Sequence, residues 1–77
     1  MANRELTWGE KQAGVGFNVG GDPVVDEIKE RFAGLMDLLN DKRAETENGD
    51  KKRFYSMALT ELNHAQMDAV KAATWRY

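Results

Sequence analysis

Residues 22–39, DPVVDEIKERFAGLMDLL, decide the fold because they contain the start and the apolar face of one long helix. Asp22 can accept hydrogen bonds from the first free amides of a helix, and Pro23 suits the first helical position because its missing N–H costs nothing there. Large apolar residues then recur at spacings of 3, 4, 3 and 4, as Val25, Ile28, Phe32, Leu35 and Leu39. This spacing predicts an amphipathic helix over residues 22–43, with an apolar face that Met36 and Leu38 widen.

A loop and a second helix follow. Residues 44–50, AETENGD, contain no large apolar side chain, and Asn48-Gly49 is a turn signal, so we predict the loop here and expect Asp50 to cap the next helix. Neither proline nor glycine interrupts residues 51–75, which are predicted to be helical. The expected contact seam is Tyr55, Ala58, Leu62, Ala65, Ala69 and Ala72. Two helices joined by a short loop pack antiparallel, and the alanines would let them approach closely.

Residues 1–21 form an arm ahead of this hairpin. They hold five of the seven glycines together with Trp8, Val15 and Phe17. Apolar residues among glycines predict a segment that makes sharp turns while it packs on the hairpin, and residues 5–12 are expected to form a short helix. The fold prediction is therefore a single all-α domain over residues 1–77, an antiparallel two-helix hairpin with an N-terminal Gly-rich arm.

The size of the chain predicts self-association. A domain of 77 residues is near the lower limit for a stable core and usually needs disulfides, a metal or partner subunits. The chain has no cysteine and one histidine, which leaves partner subunits. Apolar residues off the predicted seam would remain partly exposed and supply an interface, namely Phe54, Met57, Leu59, Met67, Val70 and Trp75. We expect a homo-oligomer.

Charge and hydropathy exclude several function classes. The formal net charge is −2 and the sequence pI is about 5.3, whereas a protein that binds nucleic acid polymers normally carries a basic excess. The N-terminal residues MANRELTWGEKQ contain no apolar run typical of a signal peptide, and no stretch approaches the roughly 20 apolar residues of a membrane span. We expect no binding to nucleic acid polymers or membranes, and a cytosolic location.

Catalytic groups are scarce in the sequence. His64 is the one side chain suited to act as a base near neutral pH, and Ser56 lies eight residues before it, roughly 12 Å away along a helix. Glu61-Leu62-Asn63-His64 matches the Glu-x-x-His motif of helical di-metal sites once, whereas those sites need the motif on two helices. A metal-dependent enzyme built from symmetric copies stays an alternative, but we predict no catalytic residues, metal or cofactor.

Aromatic residues beside cations indicate a nucleotide site. Residues 71–77, KAATWRY, place two cations and two aromatic rings within two helical turns, and Lys11 and Phe17 offer the same chemistry in the arm. Rings can stack on bases while cations neutralise phosphates. The alternative is structural, because cations near a helix C-terminus are favoured by its dipole and the rings can cover the core.

Two motifs resemble those of a known family. Residues 16–29, GFNVGGDPVVDEIK, resemble its FNPSGDPxVDxIK segment, with Val19-Gly20 where Pro-Ser is more usual. Residues 61–75, ELNHAQMDAVKAATW, resemble its ExxxAQMxAVKAxTW ending. Together with the loop, the match spans roughly residues 15–75, most of the chain. The family is the small phage and prophage hairpin proteins that antagonise CBASS immunity as sponges, whose hairpin also occurs in antagonists of Thoeris immunity.

The resemblance implies a sponge that binds cyclic di- and trinucleotides in the cytoplasm of the infected bacterial host, without cleaving them. It also implies a hexamer with ligand sites at subunit interfaces, where symmetry lets one set of residues serve each repeat of a cyclic ligand. We assign Phe17 to base stacking, Asn18 to a base edge or phosphate, and Lys71 and Thr74 to phosphate, with Lys11 and Trp75 as secondary ligand-binding candidates. The remaining alternative is a phage structural or regulatory protein whose hairpin binds a protein partner.

Overall fold

Three helices account for most of residues 4–77, the part of the chain that the computed structural model describes. They are α1 (Trp8–Ala13), α2 (Pro23–Glu45) and α3 (Gly49–Thr74), and residues 4–77 contain no strand. The predicted all-helical hairpin is confirmed in α2 and α3, and the arm adds α1 as a third helix. Residues 1–3 of the predicted arm lie outside the described residues.

Local capping explains where α2 and α3 begin. The Asp22 carboxylate accepts a hydrogen bond from the Val24 amide at 2.9 Å and Pro23 is the first helical residue, as predicted. For α3 the cap is Asn48 rather than Asp50, because the Asn48 Oδ1 atom accepts from the Lys51 amide at 2.9 Å. The connection consequently narrows to residues 46–48, and Asp50 lies in the first helical turn, where its charge favours the helix dipole.

The short helix α1 begins at Trp8, later than the expected residue 5, because Thr7 caps it. The Thr7 hydroxyl accepts from the Glu10 amide at 3.1 Å while the Glu10 carboxylate accepts from the Thr7 amide at 2.8 Å. Arg4 holds the same carboxylate with a hydrogen bond of 2.7 Å. This guanidinium, followed by the Thr7 amide, lowers the pKa of Glu10 to about 2. The capping box therefore carries a full negative charge at the positive end of α1.

The buried face of each long helix matches the predicted seam only in part: Val25 is buried and Phe32, Leu39 and Leu62 pack against the core, as expected. On α2 the buried residues are Val25, Lys29, Ala33 and Met36, and on α3 they are Leu59 and Gln66. Leu35 is 43% exposed, and Ala65 and Ala72 are exposed as well. The physical reason is α1, which packs mainly on α2. Its close approach requires small residues, such as Ala33, on the face of α2 that it covers. A Cβ atom on Gly9 would lie 2.3 Å from the Ala33 carbonyl oxygen, so the two backbones touch.

The core is small and the chain is flat. Buried Ala13, Ala33, Met36 and Leu59 form the main cluster, so Leu59, expected off the seam, belongs to the core. The extents are 44 × 35 × 12 Å and the radius of gyration is 14.0 Å, against about 11.5 Å for a compact domain of this length. A layer this thin leaves large apolar side chains exposed on both long helices and directly after α3, among them Val24, Leu38, Phe54, Met57, Met67 and Trp75. No helix within residues 4–77 has an apolar stretch long enough to cross a bilayer.

Candidate functional site

A chain of glycine turns shapes the arm between α1 and α2. Gly14, Gly16 and Gly21 have positive φ angles of 73°, 89° and 66°, which side chains with a Cβ rarely adopt. The Phe17 amide donates to the Gly14 carbonyl at 3.0 Å, and the Gly21 amide donates to the Asn18 carbonyl at 3.1 Å. These turns hold Phe17 outward, with 74% of its surface exposed. The arm thus presents a large aromatic ring to solvent at a defined position.

Lys29 lies beneath this aromatic residue and is only 8% exposed. Its ammonium group donates to the carbonyl oxygens of Gly14, at 3.3 Å, and of Phe17. The same nitrogen is 5.5 Å from the centre of the Phe17 ring, a cation–π geometry. Lys29 was not among the candidates predicted from the sequence. The available signal was its position one helical turn from both Val25 and Ala33, on the stripe that is buried.

Asn18 is the next candidate along the arm. Its side-chain amide nitrogen donates to the Asp22 carbonyl at 2.7 Å and to the Asp26 carboxylate at 3.0 Å. An asparagine amide has two N–H groups, so both are occupied and the oxygen is left as an acceptor. Phosphate oxygens only accept hydrogen bonds and would need a donor from Asn18, whereas a base edge can donate an N–H to the free Asn18 oxygen. Of the two roles assigned to Asn18, the geometry suits the base edge.

A second group of candidates lies at the end of α3. The Lys71 ammonium group is 5.7 Å from the centre of the Trp75 ring, and Trp75 meets Tyr77 edge to face at 5.5 Å. A shallow surface hollow of about 300 Å³ is lined by Asp68, Lys71, Ala72 and Trp75. This hollow joins an aromatic face to a cation, the combination expected for a nucleotide.

Thr74 is less suited to the phosphate role assigned to it. Its hydroxyl donates to the Val70 carbonyl at 2.9 Å, with a longer contact of 3.3 Å to the Lys71 carbonyl. A single hydroxyl proton directed into the helix cannot be given to a phosphate at the same time. Lys11 is exposed in the last turn of α1. Across residues 4–77 no hydrogen bond or ion pair joins Phe17 or Asn18 to Lys71, Thr74 or Trp75, so one chain carries two separate groups of candidates.

Polar contacts lock the arm onto the hairpin. The Asp37 carboxylate accepts from the Gly9 amide at 2.7 Å and from the Thr7 hydroxyl at 2.6 Å. Buried Gln66 donates its side-chain N–H to the Ala13 carbonyl at 3.2 Å. Together with Lys29, these residues fix the arm on both long helices and so hold the segment that carries Phe17.

The side chains considered for catalysis, Ser56, Glu61 and His64, lie apart from one another. The Ser56 hydroxyl accepts from the Arg43 guanidinium at 3.0 Å, and Arg43 lies over the Trp8 ring at 5.8 Å. His64 and Glu61 are exposed on α3. Nowhere in the described part of the chain do three or more histidine, aspartate or glutamate side chains gather as a metal site requires.

Comparison with known proteins agrees with the motifs. The family model described as "Acb2/Tad1, hairpin domain" matches residues 10–74, which include α2, α3 and most of the arm. No curated protein and no solved structure gives a significant match. The expected family is thereby confirmed over most of the chain.

Proposed function

The chain belongs to the Acb2/Tad1 hairpin family, and on this premise we propose that it is a phage-encoded sponge for cyclic oligonucleotide second messengers. It binds cyclic di- and trinucleotides and keeps them from the effectors of CBASS immunity. It does not cleave them. It acts where the messengers are made, in the cytoplasm of the infected bacterial host.

One observation supports this proposal above the others: an exposed aromatic ring is held in place over a buried cation. Phe17 is 74% exposed while Lys29 fixes its carbonyl and lies 5.5 Å from its ring. Stacking of a base on such a ring contributes about 1–3 kcal/mol. Because the turns and Lys29 hold the ring beforehand, little conformational entropy is lost on binding. We assign the side-chain oxygen of the next residue, Asn18, to accept from a base edge, since the amide nitrogen is already engaged.

The C-terminal group is proposed as a second subsite. Lys71 supplies positive charge for phosphate and Trp75 supplies a stacking face, while Thr74 would need its hydroxyl turned out of the helix. Lys11, exposed on α1, is a further cation for phosphate. Hydrogen bonds to charged groups contribute roughly 1.5–3 kcal/mol each, so a few such contacts repeated by symmetry suffice for tight binding.

The functional form is proposed to be a homo-oligomer, specifically a hexamer. The flat shape and the exposed apolar residues of both long helices support assembly. Symmetry also suits the ligands, because a two-fold axis gives both halves of a cyclic dinucleotide the same contacts and a three-fold axis does so for a trinucleotide.

A panel of cyclic di- and trinucleotides tests the proposal. Isothermal titration calorimetry and thermal-shift assays should detect binding, since a ligand that binds only the folded state raises its melting temperature. Chromatography of ligand released by heating should recover it intact, which separates sequestration from cleavage. Absence of binding by every member at saturating concentration would overturn the function, and recovery of a hydrolysed product would overturn the non-catalytic part.

The exposed apolar surface favours one alternative, a hairpin that docks on a protein partner. This second candidate predicts assembly without affinity for any nucleotide of the panel. The same titrations therefore distinguish the two functions.

A further inference from the structure

Arg43, in the last turn of α2, contacts all three helices. Its guanidinium group donates to the Ser56 hydroxyl of α3 at 3.0 Å and to the Asn40 side-chain oxygen at 2.8 Å. The same group lies 5.8 Å from the centre of the Trp8 ring, at the start of α1. Both hydrogen-bond partners are neutral, so they hold the guanidinium group in place without cancelling its charge. We call these four residues the Arg43 cluster.

The positive charge of Arg43 has no carboxylate partner. None of the ion pairs within residues 4–77 includes it, and residues 1–3, Met-Ala-Asn, contain no carboxylate. Asp41 is two positions away on the helix and therefore faces another side, and Glu45 forms its own ion pair at 3.3 Å. Lys52 of α3 donates to the Arg43 carbonyl at 3.4 Å and so adds a second cation nearby. The charge of Arg43 therefore stays available to an external anion.

The unused polar hydrogens of the Arg43 cluster are all available as donors. Asn40 gives its oxygen to Arg43 and keeps two N–H groups, and the Ser56 hydroxyl accepts from Arg43 and keeps its O–H. In the described part of the chain, the Trp8 indole N–H has no acceptor either. No half-buried side chain there has an unpaired polar atom shielded from solvent, so the N–H groups of Asn40 and Arg43 are accessible. A cation surrounded by donors matches an anion that has several oxygens.

We infer that the Arg43 cluster binds a phosphate group, either inorganic phosphate or the phosphate of a monoester. A tetrahedral phosphate offers oxygens in several directions to donors from three helices, whereas a planar carboxylate has only two oxygens. A phosphate monoester also carries about −1.5 to −2 charges at pH 7, which a half-buried guanidinium group attracts more strongly than an exposed one.

This site is separate from the two groups of ligand candidates. Lys29 lies roughly 21 Å from Arg43 along α2, and Lys71 lies roughly 22 Å from Ser56 along α3. The inference needs no cyclic nucleotide, so it stands or fails independently of the proposed function.

The alternative is that Arg43 only ties the helices together. A cation in the last turn of a helix is favoured by the helix dipole, and the contacts to α1 and α3 would stabilise the fold without any ligand. Arg53, at the same end of the hairpin, provides the comparison. It also lies over an aromatic ring, that of Phe54 at 4.5 Å, but it pairs with the Asp50 carboxylate at 3.7 Å. Because its charge is compensated, Arg53 is the matched control.

Tryptophan fluorescence tests the site directly. The chain has two tryptophans, so Trp75→Phe leaves Trp8, which is 37% exposed beside Arg43, as the single reporter. Inorganic phosphate titrated at constant ionic strength should change the Trp8 emission saturably, with half-saturation on the order of 1 mM for a few charge-assisted hydrogen bonds. Acetate at the same ionic strength should give no saturable change. A lack of saturable change with phosphate at about tenfold that concentration, or an equal response to acetate, would overturn the inference.

Matched substitutions in the Trp75→Phe chain assign the binding to Arg43. Arg43→Gln removes the charge and should weaken phosphate binding roughly tenfold or more, whereas Arg53→Gln should change it by less than about two-fold. If circular dichroism shows that Arg43→Gln impairs folding, Ser56→Ala is the second variant. It removes one donor, leaves the charge, and should weaken binding by about two- to tenfold. Parental affinity in the folded variant, or an equal loss in Arg53→Gln, would overturn the inference.

Ribose 5-phosphate distinguishes the two sources of the phosphate group. It does not absorb where tryptophan is excited, so the same titration applies. Tighter binding than that of inorganic phosphate would assign the site to a monoester, and equal or weaker binding would assign it to the free ion. Both results support a phosphate site, whereas binding of neither compound overturns it.

Discussion

The ammonium group of Lys29 lies 5.5 Å from the centre of the Phe17 ring and donates to the carbonyl oxygen of the same residue. A cation that is 8% exposed is thus satisfied by backbone carbonyls rather than by a carboxylate. Its positive charge is not cancelled, and the ring above it is exposed. This pair makes the arm the best-formed part of the candidate site.

Removing the ring should weaken binding with little effect on folding. Phe17→Ala deletes the stacking face and is expected to cost about 1–3 kcal/mol, or about 5- to 150-fold in affinity for a cyclic dinucleotide. Calorimetric titration measures it. The matched control is Val19→Ala, since Val19 is a neighbouring arm residue with 93% exposure and should be replaceable without loss. Equal affinity of both variants would remove Phe17 from the site.

Removing the buried charge should have two effects. Lys29→Met keeps most of the apolar stem but leaves the Gly14 and Phe17 carbonyls without their donor, so the melting temperature should fall and ligand affinity should drop at least tenfold. Thermal unfolding and calorimetry measure the two effects. Lys42→Met is the control, because Lys42 is exposed and forms only a surface ion pair with Glu45. A parental affinity for Lys29→Met would contradict the role given to the charge.

Two glycine variants test the close contact between the arm and α2. Gly9→Ala would place a Cβ atom 2.3 Å from the Ala33 carbonyl oxygen, so we expect destabilisation by about 1–3 kcal/mol. Gly34→Ala meets nothing within 4 Å and lies inside α2, where alanine should stabilise by roughly 0.5–1 kcal/mol. Chemical denaturation gives both free energies of unfolding. Similar values for the two variants would show that α1 does not touch α2 as described.

The capping box gives a pH dependence with a defined sign. Arg4 and the Thr7 amide lower the pKa of Glu10 to about 2 from 4.5, so the folded state favours the ionised carboxylate. Its contribution is complete above pH 4.5 and is lost as the pH falls toward 2. Unfolding measured from pH 6 to pH 2 should therefore show the stability of the parent converging on that of Glu10→Gln as the pH falls from 4.5 toward 2. A constant difference between the two proteins over this range would contradict the assignment.

Interactions within a few residues were predictable from the sequence. Asp22 and Pro23 start α2 as expected, because a cap and a fixed φ act within one turn and need no other element. The choice of Asp50 over Asn48 as the second cap failed because two cap residues stand close together. Which of them becomes the N-cap, with non-helical backbone angles, depends on how the three-residue connection spans the hairpin.

The sequence by itself determined an all-helical hairpin and its family, since periodicity, caps and turn residues are local properties and the motifs lie within single segments. Only the tertiary structure decided which face of each helix is buried. That choice depends on α1, which inserts Gly9 against Ala33 and draws Lys29 and Gln66 inward to satisfy arm carbonyls. From residue type alone, a lysine or glutamine in a helix is expected to be exposed to solvent. Only the position of a third element makes such a residue a buried hydrogen-bond donor.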